Sequence, residues 1–474
     1  MSVLFGKAAP VMRDTSDRAA SVSAPAAPSP TAPNIPHLPR MVRVGNGLAP
    51  AAPASPQETG LDGWVLSDLV MRLASTVPHL TTDWAARELC LPQALLERIF
   101  WQLKEDQFIE ILGQVDELNY RYASTSRGRE YAKRLLEISG YVGPAPVSLE
   151  AYTAMLDWQT AQRGAAHFED VRRTITDTLV LPEPTVEVAA LAASSGRSLF
   201  VFGPPGNGKT SLGRAIASTI RGEIWIPYCI DIDGSVIRIY DRHIHQAVDP
   251  DPQLHGGTNT VGSAFAQSSQ VDRRWVRIRS PFVIAGGEMT MAELDLAYSP
   301  GHRLYEAPPH LKANGGTFMI DDFGRQRIEP SELLNRWIIP LESRVDYLTL
   351  RTGQKIQIPF RLMLVVATNL PVSEVSDPAF LRRMGYRLRV DEPSAESYAD
   401  VFRRYAKSVG LEAPDALIAA VLKRYRDEGR DLRASEPRDL IERVRDWCQS
   451  HHRPFRLDEE SLATAWRAYF GLTS

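Results

Sequence analysis

Gly203, Pro204, Pro205, Gly206, Asn207, Gly208, Lys209, Thr210 and Ser211 are the residues of this 474-residue chain whose types and spacing carry the clearest chemistry. Glycines at the first and sixth places of Gly-x4-Gly-Lys-Thr let a backbone wrap closely, so that successive N–H groups face one anion. That geometry requires a strand before the loop and a helix after it. Both are written in the sequence, as the apolar run Ser198 to Phe202 and the helical pattern that begins at Ser211. The start of the helix adds the positive end of its dipole. Lys209 is then placed for the β- and γ-phosphates of ATP, and the Thr210 hydroxyl for Mg2+. A second apolar run, Thr317 to Ile320, ends in Asp321 and Asp322. Asp321 is expected to hold the Mg2+ shell through water, and Asp322 to act as the base that orients an attacking water. A third run, Leu362 to Ala367, ends in Thr368 and Asn369. Taken alone it is a core strand with a polar end; in order after the other two, Asn369 reads as a polar contact to the γ-phosphate and the water.

In this order the motifs resemble those of AAA+ ATPases, over a stretch from about residue 165 to 474. The resemblance implies an α/β fold: a P-loop AAA+ core with a parallel sheet flanked by helices over 195–392, then a C-terminal helical lid over 393–474. It also implies an arginine finger, pointed into a neighbouring subunit's nucleotide, in the segment Asp377 to Met384; Arg382 and Arg383 both fit. Arg438, near the start of a helix after Ser435, resembles the second sensor of the γ-phosphate. The partners implied are copies of the same chain, in a hexameric ring with ATP at subunit interfaces, and a protein client remodelled or assembled by hydrolysis. Asp322 departs from the family, which has Glu there. The shorter side chain draws the carboxylate back by about one C–C bond, ~1.5 Å, so either slow turnover or binding without fast hydrolysis follows.

The elements that must carry these residues divide the chain further. Residues 1–60 hold ten of the 34 prolines, interleaved with Ala and Ser. Such a composition predicts a disordered arm, with Ile35, Leu38 and Met41 as docking anchors if it is more than a spacer. Over 61–142, apolar spacing predicts three helices, with Thr81 or Thr82 capping the second, then a hairpin from Phe108 to Ala123 and a fourth helix after Ser126. That succession resembles a winged-helix domain. Its nine Arg/Lys against twelve Asp/Glu, net −3, oppose the phosphate contacts that DNA binding needs. Docking of a protein is therefore favoured, and an ATP-gated DNA-binding regulator is the alternative. Phe100 and Trp101 are adjacent on one helix and cannot share a face. One of them, expected to be Trp101, is left either for the surface and a partner or for packing against the helices of 148–194. Residues 143–194 read as a helical linker. Because every nucleotide motif lies at or beyond Gly203, deletion of 1–142 is expected to spare hydrolysis.

Winged helix, phosphate loop, Cys229-Ile-Asp-Ile-Asp-Gly234 and Thr317-Phe-Met-Ile-Asp-Asp322 together are similar to bacterial ATPases with chaperone activity associated with Flp pilus assembly. Alternation around Thr352 and Gly353 predicts a hairpin over Asp346 to Pro359. His243 and His245, two apart beside a strand, read as ordinary histidines and not as metal ligands. The near-balance of 54 basic and 57 acidic residues argues against a general nucleic-acid coat or membrane-surface binder. Cys90, Cys229 and Cys448 are too few and too scattered for a disulfide framework or a zinc site. With no apolar run long enough to span a bilayer, a cytoplasmic location is expected.

Overall fold

Short apolar runs of four to six residues build the central sheet of the computed structural model, which describes residues 35–45, 47–116, 119–248, 270–371 and 378–471. In chain order the strands are β1 (Leu199–Phe202), β2 (Phe282–Ala285), β3 (Thr317–Ile320), β4 (Met363–Thr368) and β5 (Tyr386–Arg389). They lie side by side as β2-β3-β4-β1-β5, every neighbouring pair parallel. Parallel strands are covered on both faces, so their central members read as unbroken apolar runs. Thr317 to Ile320 and Met363 to Thr368 are buried throughout. One face packs on Trp337, Phe360 and Phe380. The other packs on the helices Phe168–Thr178, Glu183–Ser195 and Lys209–Thr219. The C-terminal helices Ala395–Ser408, Asp415–Asp427, Glu436–Ser450 and Glu459–Phe470 have a core of their own around Tyr398, Phe402, Tyr425 and Trp466.

Ahead of the sheet, helices Gly63–Ala74, Thr82–Leu89 and Gln93–Glu105 precede a hairpin, Ile109–Asp116 with Asn119–Ser124, and the helix Ser126–Ile138. Leu80–Thr81 adds a third strand beside Asn119–Ser124. Thr81 is the cap of the second helix: its hydroxyl accepts from the Trp84 N–H at 3.2 Å. Phe100 is fully buried and Trp101 is 44% exposed, as the spacing predicts, with Lys104 Nζ 4.3 Å above the indole. Part of the hairpin tip, residues 117 and 118, lies outside the described residues. The hairpin read over 346–359 forms as Val345–Thr349 with Lys355–Pro359. The three cysteines are buried and none is in a disulfide among the described residues. His245 is buried, with Nδ1 accepting from the Asp241 N–H at 3.0 Å and Nε2 2.8 Å from the Lys312 carbonyl. Among the described residues no helix is long and apolar enough to cross a membrane.

Two readings of the N-terminal third need correction. The arm reading does not hold from Ile35 onward, while residues 1–34 lie outside the described residues. Met41–Val44 pairs with Gly47–Pro50, and Ala52 N–H donates to the Gln270 carbonyl at 2.8 Å. Ile35, Leu38 and Met41, the expected docking anchors, pack against this chain's own core. The second correction concerns modularity. Residues 61–142 share one hydrophobic core with the segment inserted between the phosphate-loop helix and β3, including Ile226, Ile230, Ile237 and Tyr305. Tyr141 and Cys229 are joined by a thiol–hydroxyl contact of 3.2 Å, and Arg274 Nη1 donates to the carbonyls of Thr59 (3.0 Å) and Pro146 (3.1 Å). Arg274 is itself buried against Asp272, at 2.8 Å. Removal of residues 1–142 would expose the insertion's apolar face to water and take from the buried Arg274 its Thr59 carbonyl partner. The 1–142 deletion is therefore expected to lose its cooperative thermal transition and aggregate. A sharp melt near that of the full chain would contradict the shared core.

Candidate nucleotide site

Three neighbouring strands bring the chemistry together because parallel strands end on the same side. The loop after β1 runs through Gly203, Gly206 and Gly208, with φ of 139°, 82° and 87°. Two of them are required by close approach as well as by φ. A Cβ on Gly203 would stand 2.1 Å from the Val390 carbonyl oxygen, and one on Gly206 would stand 2.9 Å from Ser435 Oγ. Lys209 opens the following helix, Lys209–Thr219, is buried, and donates to the carbonyls of Gly203 (2.8 Å) and Pro204 (2.7 Å). Burial pulls the pKa of its ammonium down, while Asp322 and Asp321 nearby act in the opposite direction.

Thr210 and Asp321 meet: the Thr210 hydroxyl donates to Asp321 Oδ2 at 2.7 Å. Asp321 Oδ1 accepts from the Asp322 N–H at 3.0 Å. Asp322 is exposed at the strand end with φ 49°, in the left-handed region. Asn369, beyond β4, donates from Nδ2 to Asp322 Oδ1 at 2.9 Å. Thr368 ties the two loops, donating to the Phe323 carbonyl at 2.7 Å. Lys209, Thr210, Asp321, Asp322 and Asn369 are thus brought together at one edge of the sheet.

The arginines are placed differently. Arg383 is bonded within its own chain to Glu342 Oε2, at 2.9 and 3.1 Å. Arg382, beside it on the helix Pro378–Arg383, is exposed. Arg438 is on the outer side of the helix Glu436–Ser450, with Nη2 3.2 Å from Asp439 Oδ1. The C-terminal helices nevertheless reach the phosphate loop, through the turn before that helix. Ser435 N–H donates to the Gly206 carbonyl at 2.9 Å, and Ala434 N–H to Asn207 Oδ1 at 3.2 Å. Arg433 Cδ would be 3.4 Å from a Cβ on Gly206.

Sequence reasoning missed Arg433, and also Gln326. The Gln326 amide donates to the Asp321 carbonyl (2.9 Å) and accepts from the Gly324 N–H (2.8 Å), fixing the acidic turn. Its position shortly after the paired aspartates, following Gly324, was the available signal; Arg433 offered none beyond being basic near a helix start.

A hydroxyl and a carboxylate 2.7 Å apart at a strand end are the hard oxygen donors that Mg2+ prefers, and Mg2+ is usually completed by water and substrate phosphates. Among the described residues no group of three or more His, Cys, Asp or Glu is placed to hold a metal unaided. The glycine cradle, the buried Lys209 and this pair fit MgATP. Strand order, phosphate loop and acidic strand end define an α/β protein with an AAA+ ATPase-like, P-loop fold.

Several known proteins are similar to parts of the chain. Residues 394–468 match a family described as a domain of unknown function (DUF8689). Over 263 residues the chain is 26% identical to the ATP-dependent zinc metalloprotease FtsH of Corynebacterium glutamicum, which takes in 55% of this chain and 23% of that protein. The chain thus spans less than a quarter of that relative's length. Among solved structures it is similar to a Thermotoga maritima RuvB variant (18% identity, 64% of this chain and 73% of that one, TM-score 0.35). It is also similar to Brucella abortus NtrX in complex with ATP (14% identity, 72% and 65% of the two chains, TM-score 0.35).

Proposed function

We propose that this protein is an AAA+ ATPase that binds and hydrolyses MgATP between subunits of a homo-oligomeric ring and uses the resulting motion on a protein client. The observation that carries the reading is the meeting of Thr210 with Asp321 and of Asn369 with Asp322 beside Lys209. Lys209 exchanges its two carbonyl partners for the β- and γ-phosphates, and backbone N–H groups of the Gly203–Thr210 loop surround them. Thr210 and Asp321 hold Mg2+, which when bound neutralises charge on the phosphate oxygens. Asp322 accepts a proton from the attacking water as the water oxygen bonds the γ-phosphorus and the bond to the bridging oxygen breaks to release ADP. Asn369 keeps that carboxylate in line by a hydrogen bond from its side-chain amide. The finger is Arg382 from the neighbouring subunit, since Arg383 is engaged by Glu342 at home. The helices from Ala395 onward act as the lid; its turn Arg433–Ser435 is the hinge contact, and Arg438 leaves Asp439 to meet the γ-phosphate as the lid closes.

The helices and hairpin over 61–142 are read as a winged helix that docks protein. Glu97, Glu105 and Asp106 on and beside the third helix oppose a DNA role, and Trp101 is exposed on the same helix. The resemblance to chaperone-like ATPases of Flp pilus assembly supports a protein client of that kind. Replacement of Asp322 by Asn tests the assignment. ATP binding should stay within a small factor, because the phosphate loop and metal pair are untouched, while hydrolysis falls by about a hundredfold or more with the base gone. Equal hydrolysis by the two proteins would remove Asp322 from the mechanism.

A further inference from the structure

Four arginines gather at the end of the central sheet opposite the phosphate loop. A cavity of about 500 Å³ opens there, lined by Arg163, Arg221, Arg344 and Arg361, with Asp170 as the acidic side chain of the lining. Its floor is the backbone where β3 and β4 begin, Gly315 to Gly316 and Leu362 to Met363, and its volume is in the range of small-molecule sites. Arg163 is fixed in place: Nη1 donates to the Gly315 carbonyl at 2.7 Å and to Ser280 Oγ at 3.0 Å. Its Nη2 is buried and has no hydrogen-bond partner among the described residues. A buried donor left unsatisfied is destabilising, and a ligand oxygen would supply its missing acceptor.

The other charges leave the cavity positive. Arg361 is engaged, by Asp157 at 2.5 and 3.3 Å and by the Arg344 carbonyl. Asp170 is paired with Arg173. Arg221 and Arg344 are exposed and have no side-chain partner among the described residues, and partial desolvation together with the nearby Arg361 and Arg197 pulls the pKa of Arg344 down. Like charges lining one cavity repel until an anion binds among them, and guanidinium N–H groups match phosphate or carboxylate oxygens. The C-terminal end of the helix Lys209–Thr219 also borders the cavity and disfavours an anion, so the arginines must outweigh its dipole. Val171, Ala193 and Ile220 add an apolar wall.

We propose that this cavity is a second ligand site, for a small organic anion that carries phosphate or carboxylate groups on an apolar body, separate from the nucleotide in the phosphate loop. Calorimetry on the full chain carrying Lys209→Ala, in which the phosphate loop is disabled, tests it with pyrophosphate and with citrate in separate titrations. Saturable binding of at least one is expected, weakened about tenfold, ~1.4 kcal/mol, by Arg344→Gln and by Arg163→Gln. Tighter binding of pyrophosphate assigns phosphate esters, and tighter binding of citrate assigns polycarboxylates. Arg163→Gln breaks two native bonds and can fail to fold. Arg344→Gln removes a side chain that bonds no other described side chain, so a folded Arg344→Gln protein, with its melting temperature retained, decides the matter. No saturable binding of either anion, or unchanged affinity in that variant, overturns the proposal.

Discussion

Lys209→Ala is expected to abolish ATP binding. The ammonium is buried and held by the Gly203 and Pro204 carbonyls, so it is already in position for the phosphates and loses little freedom on binding. Burial also lowers its pKa, a strain that a polyanion relieves. Alanine leaves the phosphate charge without that cation in a site partly shielded from water, where a charge-assisted bond is about twice as strong as a neutral one. A loss of about a hundredfold or more in affinity, ~2.7 kcal/mol, should be read by calorimetry. Micromolar binding that survives the change would count against the phosphate-loop assignment. The circular-dichroism melt should stay close to that of the parent, since the lysine's in-chain bonds are to two carbonyls that the loop leaves near solvent.

The second large effect concerns the arginine from the neighbour. Arg382→Ala should lower hydrolysis by about a thousandfold, as loss of a finger does elsewhere. Arg383→Ala should act more weakly, through the lost bond to Glu342. Neither Lys209→Ala nor Arg382→Ala subunits hydrolyse ATP alone, yet equal mixing should restore about a quarter of the interfaces, since a head-to-tail contact joins one subunit's site to the next one's finger. The rate should depend on the mixing ratio and peak near equal amounts. No recovery at any ratio, with mixed assemblies confirmed by mass, would leave the finger in trans without support.

Much of this site was legible because its residues end buried strands. Thr210, Asp321, Asp322 and Asn369 follow apolar runs whose composition marks them as β1, β3 and β4, and parallel strands deliver their ends to one edge. β2 and β5 were not read. Phe282–Ala285 is four residues long and Tyr386–Arg389 alternates with arginine at the sheet's edge, so neither stands out from loop sequence. Arg433, Ser435 and Gln326 act by what they face, and no local pattern records a contact such as that of Ser435 with Gly206, more than two hundred residues away. The shared core is the same case. The helices of 61–142 show amphipathic spacing that reports a buried face, but the partner, Ile226 to Ile237, is fixed only by tertiary packing. The proline-rich segment misled for a related reason: Met41–Val44 pairs with Gly47–Pro50, Ile35 and Leu38 pack on the core, and Pro50 and Ala52 bond to the Asp272 and Gln270 backbone, contacts that composition does not record.

Phosphate release by the full chain, followed with ATP in magnesium and again with ATP in EDTA, tests the central claim most directly. The account predicts multiple turnovers per subunit in magnesium, slow if the short Asp322 side chain limits them. In EDTA, and in Lys209→Ala protein with magnesium, release should fall to the level of buffer, because Thr210 and Asp321 then have no metal to hold or no phosphate to hold it against. A chain that binds ATP but releases no phosphate above that background at any protein concentration, or one that releases it equally in EDTA, would contradict the account.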